Sequence, residues 1–191
     1  MTWALLMNVV TILGSDELRG TYILRISVTE DLYVRFGRFR QGIPIHVPQG
    51  DVLYIGSAMA SKGSMTLARR LLRHATRRPP KRPHALRPIL IEKMIEAGLA
   101  SPNVQPPADK KLFWNIDYLL DEETVEIKQA FILRSQERLE DAAAALLLND
   151  PLCQSIAPGL GAHDSPDITH LLHVQAADQW WQTLTARLSR I

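Results

Sequence analysis

Cysteine and the common catalytic signatures are almost absent from this chain. One cysteine, Cys153, stands among 191 residues, so an intramolecular disulfide is excluded and a reducing cytoplasm is the expected compartment. The patterns CxxC, HExxH, GxxxxGK and GxSxG do not occur, which excludes zincin, P-loop and α/β-hydrolase chemistry. The first thirteen residues are apolar, but they lack Lys and Arg and are too short to span a bilayer. We therefore expect a cytoplasmic protein without a membrane anchor.

Positive charge is concentrated in one part of the sequence. Residues 62–93 contain ten Lys or Arg and one acid, for a net charge of +9, whereas the remainder carries −7. A dense basic block on a nearly neutral protein is typical of a surface that binds a polyanion. A solvated basic helix and loop would have the same composition. The residues that we predict to contact nucleic acid are Arg69, Arg73, Arg77, Arg78, Lys81 and Arg82.

Alternating apolar residues predict strands on both sides of the basic block. Residues 21–28 alternate in this way, which predicts a strand with Tyr22 on its apolar face. Residues 32–36 alternate again, and we expect them to pair with that strand as a hairpin. A third strand is predicted at 52–56 and carries Tyr54. Two further strands are predicted at 125–133 and 168–174.

The helical pattern is clearest in residues 66–76. Apolar side chains recur there at helical spacing and predict a buried stripe, while the basic residues Arg70, Arg73, His74 and Arg77 occupy another face. Arg70 and His74 are four residues apart and so lie one turn apart on the same side. Further helices are predicted at 88–97, 136–148 and 176–190, while residues 113–120 suit either a helix or a strand.

These elements offer the side chains that hydrolysis of a phosphodiester requires. The reaction needs an activated water, neutralisation of charge on the phosphate oxygens and help for the leaving oxygen. Tyr22 and Tyr54 are candidates to align and deprotonate the water, given a nearby cation. Arg70 is a permanent cation with a fork suited to phosphate, and His74 can donate to phosphate or to the leaving group. Each signal also has an ordinary explanation, since strand tyrosines usually belong to the core and helical Arg or His is usually solvated.

Metal binding has two candidate locations. A Mg²⁺ ion held by one or two carboxylates and several waters would complete the site, with Glu140 as ligand and Glu137 as the second choice. The alternative is a metal cluster in the last third of the chain, although such histidines more often are ordinary polar or surface residues. Its members would be His163, Asp164, His170 and His173.

Two short segments and the helix after them resemble a known family. Gly20-Thr21-Tyr22 and Tyr54-Ile55-Gly56-Ser57, followed by Arg70 and His74, resemble the GIY-YIG endonuclease superfamily, with Thr in place of the first Ile. The similarity spans residues 20 to about 174. Further segments resemble the Uri-type branch of that superfamily: residues 114–120, Glu140, residues 159–161 with Asp164, and residues 169–171.

The resemblance implies a small α/β (α+β) nuclease fold, a central antiparallel sheet flanked by helices. An extra hairpin is implied between the two tyrosines, and residues 77–111 form a basic, proline-rich insertion. It divides the chain into an N-terminal segment (1–19), the nuclease domain (20–174) and a C-terminal amphipathic helix (175–191).

The activity implied by the resemblance is metal-dependent endonucleolytic hydrolysis of DNA with Mg²⁺ or Mn²⁺. The family pattern assigns catalysis to Tyr22, Tyr54, Arg70 and His74, and metal binding to Glu140. The runner-up function is a non-catalytic DNA- or RNA-binding module, which would need neither the tyrosine pair nor Glu140. A third alternative, a protein-interaction adaptor, depends on Trp180 and Trp181 in the terminal helix.

The chain departs from the Uri-type pattern at four positions. Phe113 and Asn115 stand where that branch usually has histidines, and Ser165 and Asp167 stand where it tends to have cysteines. We therefore do not carry over to this chain whatever roles those family side chains have.

Overall fold

One six-stranded sheet forms the centre of the protein, in a computed structural model that describes residues 9–14, 16–161 and 169–191. Its strands are β1 (Val10–Gly14), β2 (Gly20–Val28), β5 (Gly50–Ala58), β6 (Val125–Arg134), β7 (Cys153–Ser155) and β8 (Leu171–Val174). They follow the spatial order β1-β6-β2-β5-β8-β7, and every neighbouring pair is antiparallel except β1 with β6. The predicted strands around Tyr22 and Tyr54 are thus confirmed, and they lie side by side as β2 and β5.

Helices cover both faces of this sheet, because its strands direct apolar side chains to either side. On β2, Tyr22 and Leu24 point to one face and Ile23 points to the other. The first face packs against α1 (Leu67–His74), α2 (Arg87–Glu96) and α3 (Asn115–Leu120), and the second against α4 (Glu140–Leu148) and α5 (Asp178–Leu188). The expected mixed α/β fold, a mostly antiparallel sheet flanked by helices, is confirmed. Trp181 of α5 is buried in the second core, as the packing of that helix requires.

The predicted pairing of residues 32–36 with β2 is wrong. Both edges of β2 are already occupied, by β5 on one side and β6 on the other. β3 (Leu32–Val34) instead pairs with β4 (Ile45–Val47) in a separate two-stranded sheet. The extra hairpin between the two tyrosines is therefore present, but it stands apart from the central sheet.

Two helices begin later than the segments that the sequence analysis considered for them. Residues 113–120, which suited either a helix or a strand, form a helix from Asn115 onward. The helix predicted over 136–148 begins only at Glu140, so Glu137 lies in the segment before it. In the part of the chain that the structure describes, no helix is long and apolar enough to cross a membrane.

Candidate functional site

An open cleft of about 630 Å³ lies at the end of the sheet where β2 begins and β5 ends. α1 contributes Arg70 to its lining and the first turn of α4 contributes Glu140. Tyr54 and Ser57, from the end of β5, line the same space. Side chains from opposite faces of the sheet therefore meet in one cavity, because the cavity is at the ends of the strands.

The two tyrosines lie on the α1 side of the sheet at different depths. Their ring centroids are 6.2 Å apart, and only Tyr54 lines the cleft. Tyr22 is fully buried beneath it, with its hydroxyl hydrogen-bonded to Nε2 of His74 at 2.8 Å. Gly56 faces Tyr22 across the two strands, and a Cβ at this position would lie 2.5 Å from the Tyr22 hydroxyl. Gly56 thus makes room for the Tyr22 side chain.

Both phenols are neutral at ordinary pH. Burial raises the pKa of Tyr22 and of Tyr54 well above 10, and the charge of Glu140 acts in the same direction. The Arg70 guanidinium lowers both pKa values, but by less than burial raises them. Either hydroxyl can therefore accept a proton only while it passes its own proton to another group.

His74 is the neighbouring group able to receive that proton. It is fully buried, and burial lowers its pKa to about 4, so the imidazole is neutral at pH 7. Its Nδ1 faces Oδ1 of Asp117 at 3.6 Å. The carboxylate favours the tautomer with the proton on Nδ1, which leaves Nε2 as the acceptor for the Tyr22 hydroxyl.

Asp117 belongs to the site, although the sequence analysis did not select it. Its Oδ2 accepts from the Arg73 guanidinium (2.7 Å) and from the backbone N–H groups of Phe113 and Trp114 (both 3.0 Å). The Lys110 ammonium lies 3.5 Å from Oδ1. Burial alone would raise the pKa of Asp117, but hydrogen bonds and neighbouring cations hold it well below its usual range. An acid at the third position of a helix, where it can cap the first turn, is the sequence signal that was available.

Arg70 is buried, although the sequence pattern placed it on a face of α1 other than the buried stripe. The residue is 6% exposed. Its Cζ lies 4.2 Å from the centroid of the Trp114 ring, and its NH2 group donates to the sulfur of Met65 at 3.4 Å. Among the described residues no carboxylate forms an ion pair with it. The charge of Arg70 is therefore directed at the cleft.

Arg77 is also buried, although we predicted a solvated nucleic-acid contact. It is 7% exposed, and its hydrogen-bond acceptors are the carbonyl oxygens of Leu120, Arg82 and Val125, the ring of His84 and the carboxylate of Glu126. These acceptors lie on the segment after α1 and on the stretch from α3 to β6. Arg77 thus holds two parts of the chain together and offers nothing to a ligand at the surface.

Among the other predicted nucleic-acid contacts, some form ion pairs with carboxylates of the protein and others are exposed without such an ion pair among the described residues. Arg73 forms an ion pair with Asp117 at 2.7 Å, and Arg78 and Lys81 both form ion pairs with Asp121, at 2.9 and 3.2 Å. Arg69 is exposed and donates to the carbonyl of Gln105 at 3.1 Å, and Arg82 is exposed as well. Acids that follow the basic block in the sequence fold back on it, so much of its charge is already neutralised.

Glu140 is the first residue of α4 and is anchored from two sides. The Ser57 hydroxyl donates to its Oε2, and Nδ1 of His170 lies 3.1 Å from its Oε1. Burial would raise its pKa, but contacts with His170 and Ser57 lower it below the usual value, so the carboxylate is ionised. The Thr21 hydroxyl accepts from the N–H of Leu139 at 3.0 Å and so fixes the start of α4 against β2. Thr21, which stands in the segment that resembles the GIY-YIG pattern, thus helps to position Glu140.

Two carboxylates in the cleft are of the donor type that Mg²⁺ prefers. Glu140 and Asp141 both line the cleft, and Mg²⁺ is held in proteins by one or two carboxylates together with waters. In residues 9–14, 16–161 and 169–191, no group of three His, Cys, Asp or Glu could hold a metal ion by itself. Glu137 is exposed and does not line the cleft.

The alternative metal cluster lies only partly within the described residues. His163 and Asp164 lie outside them. His170 lines the cleft beside Glu140, whereas the ring of His173 is hydrogen-bonded to the carbonyl of Gln49 at 3.2 Å. The two described histidines therefore have different partners.

Comparisons with known proteins give one result that bears on identity. Neither the curated proteins nor the solved structures contain a match to this chain. Residues 21–191 match a protein family described as "Domain of unknown function DUF123". This range includes every residue that lines the cleft, and it extends over nearly the whole chain. The chain therefore belongs to the DUF123 family.

Proposed function

We propose that this protein is a metal-dependent endonuclease of the GIY-YIG type that hydrolyses phosphodiester bonds in DNA. One observation carries the proposal: Arg70 is buried, has no carboxylate partner among the described residues, and lines an open cleft. A buried cation without a counter-ion is unfavourable unless a ligand supplies the negative charge. A phosphate group matches the planar fork of the guanidinium.

The tyrosines and His74 provide a route for the proton of the attacking water. Tyr54 lines the cleft and orients the water through its hydroxyl. As the water attacks phosphorus, the P–O bond to the leaving oxygen breaks, and the leaving oxygen takes a proton from solvent in the open cleft. The proton of the attacking water passes to Tyr54, the Tyr54 proton to Tyr22, and the Tyr22 proton to Nε2 of His74. No phenolate needs to exist beforehand, which agrees with the raised pKa values of both phenols. Asp117, ionised and 3.6 Å from Nδ1, stabilises the imidazolium that results.

Arg70 and Glu140 act on the phosphate from the two sides of the cleft. Arg70 donates to the non-bridging oxygens and stabilises the charge that grows on them during attack. Glu140 would hold Mg²⁺ or Mn²⁺, and such an ion, when bound, supplies Lewis-acid stabilisation of the same charge. Ser57 and His170 keep the Glu140 carboxylate oriented toward the cleft.

A nuclease assay with a matched pair of glutamate variants tests the proposal. Purified protein would be incubated with plasmid, branched and single-stranded DNA in Mg²⁺, in Mn²⁺ and in EDTA. We expect cleavage with either metal and none in EDTA. Glu140→Gln should lower the rate by about 10²–10³-fold, because charge stabilisation in the transition state is lost. Glu137→Gln, three residues away and outside the cleft, should cleave like wild type.

Two results would contradict the proposal. Equal rates for wild type and Glu140→Gln would remove Glu140 from the reaction. Tight DNA or RNA binding without cleavage under any metal would favour the non-catalytic binding module instead.

A further inference from the structure

An exposed aromatic ring stands beside the part of the cleft that Arg70 forms. Phe113 lines the cleft and is 70% exposed. A single exposed apolar side chain is ordinary on protein surfaces, so exposure alone implies nothing. The backbone of Phe113, however, is anchored to the protein interior, because its N–H donates to the buried carboxylate of Asp117 at 3.0 Å. The ring is thus exposed to solvent on a backbone that is fixed.

A continuous set of contacts joins this ring to the proposed phosphate site. Phe113 meets Trp114 edge to face, with centroids 5.0 Å apart and an interplanar angle of 84°. On Trp114 lies the Arg70 guanidinium, at 4.2 Å. Met59 and Met65 line the same cleft, and methionine adapts its shape to flat ligands. A cation and an apolar aromatic surface are therefore presented side by side.

This combination matches the two halves of a nucleotide. The phosphate is an anion for Arg70, and the base is a flat π-system for Phe113. In a duplex, the faces of the bases are covered by their stacked neighbours, so this ring cannot reach them. Aromatic side chains stack on bases chiefly in single-stranded nucleic acids, where the faces are free.

We propose that Phe113 is a stacking platform for an unpaired base next to the scissile phosphate, so that the substrate is DNA that is single-stranded at the cut. The inference rests on the proposed nuclease function and adds to it the class of DNA recognised. It assigns a specificity role to a residue at which the chain departs from the Uri-type pattern.

Equilibrium binding in EDTA tests the platform without any cleavage. Fluorescent oligothymidylate and a duplex of equal length would be titrated with wild type, Phe113→Ala and Phe113→Trp. Phe113→Ala should weaken binding to the single strand by about 5- to 150-fold, the range expected for one stacked base. Binding to the duplex should not change, and Phe113→Trp should bind the single strand at least as tightly as wild type.

Tyr33→Ala is the matched control. Tyr33 is an exposed aromatic residue (75%) on the β3–β4 hairpin and does not line the cleft. We expect this variant to bind both DNAs like wild type. An equal loss for Tyr33→Ala and Phe113→Ala would overturn the platform, because it would show a general surface effect.

An abasic scan locates the base and separates the two proposals. One abasic nucleotide would be moved along the oligonucleotide. Wild type should lose affinity when the abasic nucleotide stands at one particular position. Phe113→Ala should bind the oligonucleotide with an abasic nucleotide at that position as tightly as it binds the intact oligonucleotide. Three results would each overturn the inference. Phe113→Ala could bind the single strand like wild type, it could lose equal affinity for the single strand and the duplex, or wild type could bind oligouridylate more tightly than oligothymidylate. If wild type still cleaves DNA in that case, the nuclease proposal stands, whereas failure to bind or cleave any DNA would end both.

Discussion

Arg70 and Arg77 lie seven residues apart on one side of α1 and its continuation, and they are buried to nearly the same degree, 6% and 7% exposed. Their surroundings are opposite. Arg77 meets carbonyl and carboxylate oxygens, whereas Arg70 meets a thioether and an indole ring. Burial therefore does not distinguish Arg77, which has a structural role, from Arg70, for which we propose a functional one. The partners do, because a guanidinium already supplied with oxygen acceptors has no need of a ligand.

The strongest test of this contrast is the stability of Arg77→Ala. The change leaves the carbonyls of Leu120 and Val125 and the ring of His84 without their shared donor in a buried region. Removing one partner from a buried charged network typically lowers the free energy of unfolding by about 3–5 kcal/mol. Urea denaturation followed by circular dichroism measures this loss.

Arg78→Ala is the control for the Arg77 experiment. The Arg78 side chain is 51% exposed and pairs with Asp121, and exposed pairs contribute about 1 kcal/mol or less. If Arg77→Ala were as stable as Arg78→Ala, Arg77 would not hold these segments together, and the comparison with Arg70 would fail.

Arg70→Met should show the opposite behaviour. We expect single-turnover cleavage to fall by about 10²–10³-fold, because a contact to the transition-state charge is lost. Stability should stay the same or rise slightly, because a buried cation without an ion-pair partner in the described residues is replaced by an apolar chain. Arg70→Lys keeps the charge without the planar fork and should recover only part of the rate. A marked fall in the melting temperature of Arg70→Met would instead make Arg70 a structural residue.

Local pattern was enough to predict the elements that carry the site. The strands predicted at 21–28 and 52–56 correspond to β2 and β5, which carry Tyr22 and Tyr54. The helical spacing in residues 66–76 predicted α1. Both signals depend only on neighbouring residues. The sequence analysis ranked Glu140 before Glu137 as the metal ligand, the resemblance to GIY-YIG nucleases assigned metal binding to Glu140 as well, and it is Glu140 that lines the cleft.

The environment of the basic residues was not predictable in this way. Asp117 and Glu126, which pair with Arg73 and Arg77, lie more than forty residues further along the chain. Periodicity within α1 carries no information on α3 or β6, so Arg70 and Arg77 looked like solvated neighbours. The pairing of β3 with β4 was missed for the same reason, since β3 is kept away from β2 by the distant strands β5 and β6, which occupy both edges of β2.

His74 stands between the two arginines and gives the smallest expected effect. Burial lowers its pKa from 6.5 to about 4. Between pH 4 and pH 6.5, His74 is therefore protonated in the unfolded chain but not in the folded protein. Unfolding therefore takes up protons, and stability falls as the pH is lowered from 6.5 toward 4, by up to about 3 kcal/mol from this group. His84, also buried with a lowered pKa, acts in the same direction.

The contribution of His74 is isolated by comparison with His74→Gln, whose amide can still accept from the Tyr22 hydroxyl. Urea midpoints would be measured for both proteins from pH 7 down to pH 4. We expect the wild-type curve to decline more steeply, because only that protein has the extra titrating group. Parallel curves would mean that the folded state protonates His74 as easily as the unfolded chain does. The imidazole would then be charged as often as free histidine, so the buried side of α1 would differ less from its cleft side than the contrast between Arg70 and Arg77 implies.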